Sequence, residues 1–169
     1  MNRLDNPPAL RLEKSGMPGA AAARILIVGY GNTLRGDDAA GVLVAEAIEA
    51  LGLDGVEVLA CHQLTPEISE KVAAMESVIF IDAGEANERQ AEVREIVEGT
   101  GPPVFGHAID PRSILALARS LFGRSPRAWL VSVAACSFEL DAGPSPDCAE
   151  GMALAVEAVK GLCAAKNEA

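Results

Sequence analysis

Residues 25–41 read ILIVGYGNTLRGDDAAG, and this stretch decides the fold. Residues 25–28 form a continuous apolar run that is typical of a buried strand. The run breaks at Gly29, and a turn containing glycine and asparagine leads to two adjacent carboxylates, Asp37 and Asp38. An apolar helical pattern follows them. Open α/β sheets build their sites from charged residues at the carboxyl ends of buried strands, so the stretch indicates both a fold and a site.

The rest of the chain alternates strand and helix patterns. A run at residues 91–97 alternates apolar and charged residues, which favours a half-exposed, antiparallel edge strand. The order β-α-β-α-β-β-α-β-α predicts an α/β fold. We expect a three-layer sandwich in which a twisted five-stranded, mostly parallel sheet carries one antiparallel edge strand and has helices on both faces. The predicted strands cover residues 24–29, 56–61, 78–81, 91–97 and 127–135, and the last helix covers residues 148–165.

Polar residues stand where the predicted helices begin. Asp37 or Asp38 occupies the position expected for the cap of the first helix, which runs to about Leu51. Thr65 and Asp110 each precede a proline, and proline is favoured at the first position of a helix. We therefore predict that Thr65 and Asp110 cap the second and third helices.

The first part of the chain differs in composition from the rest. Residues 1–23 hold three prolines and mixed charges without a periodic pattern, and they lack the apolar core of a secretory signal. We expect a flexible N-terminal tail, or an extension from an upstream start codon. Residues 24–166 are expected to form a single α/β domain, since their length suits one hydrophobic core region.

Charge and cysteine usage exclude several classes of function. The formal net charge of −10 argues against nucleic acid as a partner and against docking on anionic membranes. No apolar run approaches the roughly 18 residues of a membrane-spanning helix. The four cysteines form no CxxC pair, which favours free thiols in a reducing cytoplasm. We expect a cytoplasmic monomer.

The first loop fits a nucleotide site poorly, and a nucleotide-binding module is the weakest of the alternatives. Gly29 and Gly31 match the first two glycines of the dinucleotide fingerprint, but Leu34 holds the third position. Two carboxylates at the start of the following helix would also repel a phosphate. The helix dipole favours those carboxylates instead.

Three residues form a candidate metal site. Asp38, Asp82 and His107 follow strands or lie in loops that can reach one edge of the sheet, and they supply two oxygen ligands and one nitrogen ligand. Such a set suits a borderline divalent ion such as nickel or zinc and leaves a position open. The alternative is structural: the aspartates would cap a helix or form a turn, and His107 would be an exposed loop residue.

The patterns of nucleophilic enzymes are weak in this sequence. There is no G-x-S-x-G motif. Cys61 and His62 are adjacent on a strand end and should point to opposite faces, which disfavours a Cys–His pair. Cys136 with a distant histidine remains an alternative, whereas Cys148 and Cys163 are expected in a helix core.

The segment GYGNTLRGDDAAG at residues 29–41 resembles the N-terminal signature of the [NiFe]-hydrogenase maturation endopeptidases, G-x-G-N-x-L-x-x-D-[DE]-x-x-G. The FIDA segment at residues 80–83 is similar to the aspartate on the third strand of that family. His107, in GHAIDPRSILALARSLFG, is similar to its histidine before a helix. HQLTPE and SFELDAGPSP also resemble family segments, so the likeness spans residues 24–162.

The resemblance implies a cytoplasmic endopeptidase that removes a C-terminal extension from the large-subunit precursor after nickel insertion. The nickel-recognising residues of the family match Asp38, Asp82 and His107, and the nickel is carried by the substrate. No permanently bound cofactor is expected. Asp38 or Asp82 would act as the general base, and Asp37 would be a cap. The alternative is a non-catalytic chaperone that senses the metal-loaded large subunit.

Two features depart from the family pattern. Ala39 stands where glycine is common, and the residues after His107 are Ala-Ile-Asp in place of a more polar sequence. His62 does not match a general ligand of the family, and we assign it to a subgroup loop that could contact the substrate.

Overall fold

The computed structural model describes residues 25–85, 90–100 and 109–167. These residues form one five-stranded sheet with the strand order β2-β1-β3-β5-β4. All neighbouring strands are parallel except β4, which lies antiparallel to β5 at one edge. The strands are β1 (Ile25–Tyr30), β2 (Val56–Cys61), β3 (Ser77–Glu85), β4 (Ala91–Ile96) and β5 (Arg127–Ala135).

Helices cover both faces of the sheet, as predicted for a three-layer sandwich. They are α1 (Ala40–Ala50), α2 (Ile68–Ala74), α3 (Pro111–Phe122) and α4 (Pro146–Asn167), and a short 3-10 helix, Gly36–Ala39, precedes α1. None of these described helices is both long and apolar enough to cross a membrane. The predicted tail, residues 1–23, lies outside the described residues.

Alternate residues of β1 supply two separate cores. Ile25 and Ile27 are buried in a cluster with residues of α1 and α4, whereas Leu26 and Val28 are buried in a cluster with residues of α2 and α3. Successive side chains of a strand point to opposite faces, so a strand covered on both sides must be apolar throughout. This explains the unbroken apolar run with which the domain begins.

The third strand is longer than its apolar run predicts. The prediction ended it at Ile81, but β3 continues to Glu85 because residues 82–85 pair with residues 132–135 of β5. On its other side the pairing with β1 ends at Gly29 and Ile81. Asp82 therefore lies inside β3 at the point where the neighbouring strand stops.

The two predicted proline caps have different outcomes. The Oδ1 atom of Asp110 accepts a hydrogen bond from the backbone N–H of Ser113 at 2.7 Å, so this cap is confirmed. The cap at Thr65 is wrong. The helix α2 begins at Ile68, after a turn in which the carbonyl of Thr65 accepts from the Ile68 N–H, and no side chain caps it.

Candidate active site

Asp38 and Asp82 line one cavity of about 320 Å³ at the carboxyl edge of the sheet. They reach it from different elements: Asp38 from the 3-10 helix after β1, and Asp82 from β3. His62, in the loop after β2, lines the same cavity and is exposed. The other lining residues are Tyr30, Gly31, Asn32, Arg35, Gln63, Leu64 and Ile109.

The loop after β1 holds Asp38 at the cavity. The backbone N–H of Asn32 donates to Oδ2 of Asp38 at 3.0 Å, and among the described residues this half-buried carboxylate is only partly engaged. The chain can pass this close because residue 31 is glycine. Gly31 has a φ of +143°, and a Cβ there would lie 1.9 Å from the carbonyl oxygen of Asp38.

Asp82 is placed next to Tyr30 by the register of the sheet. Gly29 pairs with Ile81, so the following residues of the two parallel strands, Tyr30 and Asp82, lie side by side. The Tyr30 hydroxyl is close enough to the Asp82 carboxylate to act as a hydrogen-bond donor that lowers the pKa of Asp82. Burial raises the pKa of Asp82 to about 6, and the charge of Asp38 adds to the rise, although the bond from Tyr30 opposes it. Burial and the negative charge of Asp82 in turn raise the pKa of Tyr30.

Asp37 does not cap a helix, contrary to the prediction. Its fully buried carboxylate accepts hydrogen bonds from the backbone N–H groups of Cys136, Ser137 and Ser145, at 2.6–2.9 Å, and from the Ser145 hydroxyl at 3.0 Å. Burial alone would raise the pKa of Asp37, but these hydrogen bonds outweigh it and lower the pKa to about 2. Asp37 thus joins the loop of Asp38 to the loop after β5.

The third predicted ligand, His107, lies outside the described residues. Within the described ranges, 25–85, 90–100 and 109–167, no three histidine, cysteine, aspartate or glutamate residues are grouped so that they could hold a metal ion. The described part of the chain therefore brings together two of the three predicted ligands. A complete set would need a further ligand, from His107 or from a substrate.

Two residues of the site were missed by the sequence analysis. Tyr30 contacts Asp82, and Arg35 adds a positive charge to a cavity whose lining carboxylates are Asp38 and Asp82. If β1 and β3 had been known to be neighbours, their pairing would have revealed Tyr30. Gly29 pairs with Ile81, and Tyr30 and Asp82 are the next residues of the two strands.

A second cavity of about 500 Å³, between β4 and α3, shares Tyr30 and Asp82 with the first. Space for an extended substrate therefore adjoins Asp82 on that side.

The cavity lacks a conventional nucleophile among its described lining residues, which include no serine, threonine or cysteine. Cys148 and Cys163 are buried in the core, as expected. Cys136 is exposed, and its Sγ atom lies 3.6 Å from the Ser145 Oγ atom. The residues of the cavity are suited to accepting a proton from water and to attracting a cation.

Comparison with known proteins gives matches among solved structures. No protein-family model and no curated protein matches the sequence. HycI from Thermococcus kodakarensis KOD1, a [NiFe] hydrogenase maturation protease, is 28% identical with a TM-score of 0.67, over 85% of this chain and 94% of that chain. HybD from E. coli, a hydrogenase maturating endopeptidase, is 28% identical with a TM-score of 0.63, over 80% of this chain and 89% of that chain.

A further match shows the fold alone. HybD from Thermococcus kodakarensis is 20% identical with a TM-score of 0.65, over 83% of this chain and 99% of that chain. The two structures at 28% identity go further, because they combine the same sheet architecture with nearly complete coverage of their own chains. The fold and these matches at 28% identity support assignment of the chain to the hydrogenase maturation endopeptidases.

Proposed function

We propose that the protein is a cytoplasmic endopeptidase that removes the C-terminal extension of a [NiFe]-hydrogenase large-subunit precursor after nickel insertion. It recognises the nickel that the substrate carries, through Asp38, Asp82 and His107. One observation carries the proposal: Asp38 and Asp82, far apart in the sequence, line one cavity in a fold shared with hydrogenase maturation proteases.

The electrostatics of the cavity support a cationic ligand. Burial and the charge of Asp38 both oppose ionisation of Asp82. A divalent ion between the two carboxylates would relieve both effects. Two oxygens and one imidazole nitrogen make an incomplete set for nickel, so binding would be weak until ligands of the substrate complete the coordination.

Peptide hydrolysis here would use water as the nucleophile. A water attacks the scissile carbonyl carbon while Asp38 or Asp82 accepts its proton. The C–N bond then breaks, and the proton passes to the departing amine. The substrate's nickel supplies Lewis acidity to the carbonyl or the water. The lack of serine, threonine and cysteine among the described lining residues favours this route over an acyl-enzyme.

The test is cleavage of purified, nickel-loaded precursor, followed by mass spectrometry. We expect Asp38→Asn, Asp82→Asn and His107→Ala each to lower the rate by at least about 100-fold while the protein stays folded. Asp54→Asn is the matched control, because Asp54 is exposed and lies outside the cavity. Normal cleavage by all three variants would refute the assignment.

The same experiment separates the protease from a chaperone. Loss of the C-terminal peptide from the precursor identifies a protease, whereas binding without a change of mass identifies a chaperone. Precursor without nickel should not be cleaved, because the ion completes the recognition site. Cleavage of nickel-free precursor at an equal rate would show that recognition of the precursor does not require nickel.

A further inference from the structure

Three exposed apolar side chains lie near the candidate active site and have no role in the proposed chemistry. Leu34, Phe138 and Leu140 are 59%, 48% and 70% exposed. Leu34 belongs to the loop after β1, and the other two belong to the loop after β5. We call these three residues the apolar patch. Single exposed apolar residues are common, but a group of them on joined segments favours a contact surface.

Backbone hydrogen bonds join the two loops of the apolar patch. Arg35 and Leu140 form an isolated antiparallel bridge, and the Asp141 N–H donates to the Leu34 carbonyl at 2.8 Å. The Asp37 N–H donates to the Ser137 carbonyl at 2.8 Å. The buried Asp37 carboxylate adds its own bonds to the second loop. The patch is therefore presented on a fixed backbone, which lowers the entropic cost of binding.

The loop that carries Leu34 borders the carboxylate cavity. The Leu34 N–H donates to Oδ1 of Asn32 at 2.9 Å, and the Asn32 N–H donates to Asp38. Arg35, the bridge partner of Leu140, lines the cavity itself. The loops of the apolar patch therefore border the cavity that would hold the cleaved peptide bond.

We propose that the apolar patch docks the folded body of the protein substrate, next to the segment that is cleaved. The patch carries the exposed carboxylates of Glu139 and Asp141 beside its apolar side chains. The complementary surface on the substrate is therefore apolar with basic residues around it. This inference rests on the proposed endopeptidase function.

The test compares two triple variants in the full-length protein. The patch variant is Leu34→Ser, Phe138→Ser and Leu140→Ser. The control variant is Leu51→Ser, Leu121→Ser and Leu154→Ser, which removes apolar side chains of similar exposure from helices α3 and α4 and the end of α1. Circular dichroism and thermal unfolding establish that both are folded.

Steady-state cleavage of nickel-loaded precursor gives KM and kcat for each protein. We expect the patch variant to raise KM at least tenfold with kcat within about twofold of wild type, because exposed aromatic and aliphatic contacts act on binding and not on the reacting atoms. The control variant should match wild type. Leu140→Ser alone, at the most exposed position, should raise KM about threefold and serves if the triple variant is unstable.

The outcomes separate this inference from the function on which it rests. If wild type cleaves the precursor and the patch variants keep its KM, the docking surface is refuted and the endopeptidase stands. An equal rise of KM in the control variant also refutes it. If wild type cleaves no nickel-loaded precursor, the proposed function fails, and the docking inference fails with it.

Discussion

Asp37 and Asp38 are neighbours in the chain with opposite environments. Asp37 is fully buried and accepts four hydrogen bonds from the loop after β5. Asp38 is half-buried at the cavity and accepts one backbone bond from Asn32. A saturated carboxylate has little capacity left for a ligand, whereas a partly engaged one retains it. Substitution of the two residues should therefore affect different properties of the protein.

At Asp37 we predict a large loss of stability. Asp37→Asn replaces one carboxylate oxygen with an NH₂ group that faces backbone N–H donors, so at least one donor loses its partner. Hydrogen bonds to a buried charge contribute about 1.5–3 kcal/mol each, and we expect the free energy of unfolding to fall by about 3 kcal/mol. Urea denaturation measures it, with Asp54→Asn as the exposed control. A loss below about 0.5 kcal/mol would contradict the role assigned to Asp37.

The lowered pKa of Asp37 also predicts a pH dependence of stability. A carboxylate with a lower pKa in the folded state stabilises the fold above its unfolded pKa, and the contribution is lost as the pH falls through the folded value. The pKa of Asp37 falls from its ordinary value of 3.8, which applies to the unfolded chain, to about 2 in the folded protein. The corresponding free energy is about 2 kcal/mol.

We therefore expect the stability difference between wild type and Asp37→Asn to be constant above pH 5. It should shrink by about 2 kcal/mol as the pH falls below 2. Urea denaturation across this range measures the difference. A difference that does not change with pH would show that the charge of Asp37 is not what holds the two loops together.

The chemistry of the two aspartates could be predicted from the sequence only in part. Asp38 and Asp82 stand near the ends of apolar strand runs, and this local signal was enough to place both at the sheet edge. The partners of Asp37 lie about 100 positions further along the chain. No local sequence pattern indicates such a distant contact. The sequence analysis therefore predicted a helix cap at Asp37, whose buried carboxylate instead bonds to the loop after β5.

Among the elements, those with strong local signals were predicted well. β2 and β5 have the predicted bounds, and α3 begins at Pro111 behind its Asp110 cap. The errors occur where pairing with a distant strand sets the end of an element. Residues 82–85 extend β3 because β5 offers them partners, although their sequence is polar and contains glycine. An element boundary that is set by a neighbouring strand cannot be predicted from the sequence of the segment itself.

At the contact between the two loops we predict a specific requirement for glycine. Gly36 has a φ of +50°, and a Cβ there would lie 2.6 Å from the Ser137 carbonyl oxygen. Gly36→Ala therefore adds a steric clash to the cost of a left-handed backbone, which is roughly 1–2 kcal/mol. We expect the free energy of unfolding to fall by about 3 kcal/mol in total, since overpacking costs about 1–3 kcal/mol.

Gly52→Ala is the matched control for this clash. Gly52 has a φ of +59°, but nothing lies within 4 Å of a Cβ built on it. Gly52→Ala should lower the free energy of unfolding only by the cost of the left-handed backbone, about 1 kcal/mol. Urea denaturation of both variants gives the two losses. Equal losses would mean that the two loops do not require close contact at Gly36.

For the whole molecule, the strand order explains why the cavity lies where it does. β1 has β2 on one side and β3 on the other, and α1 and α2 pack on opposite faces of the sheet. The connections leaving β1 and β2 thus diverge to the two faces. The strand order reverses between β1 and β3, and open α/β sheets have their crevice at such a point, outside the carboxyl ends of the strands. The sequence predicted the alternation of elements but not this order, because strand order depends on contacts between distant segments.

The last prediction concerns the extent of the folded unit. Among the described residues, both cores are built from side chains between Ile25 and Cys163, with helices on each face of the sheet. A protein that begins at Arg24 should therefore fold, with a Tm within about 2 °C of the full chain, because a loss of 1 kcal/mol shifts Tm by about 2–4 °C in a domain of this size. As a control, a protein that begins at Tyr30 lacks the apolar run of β1, whose residues contribute to both cores, and should not fold. Differential scanning calorimetry distinguishes these outcomes. A large fall in Tm on removal of residues 1–23 would show that they are part of the folded domain, contrary to the boundary predicted from composition.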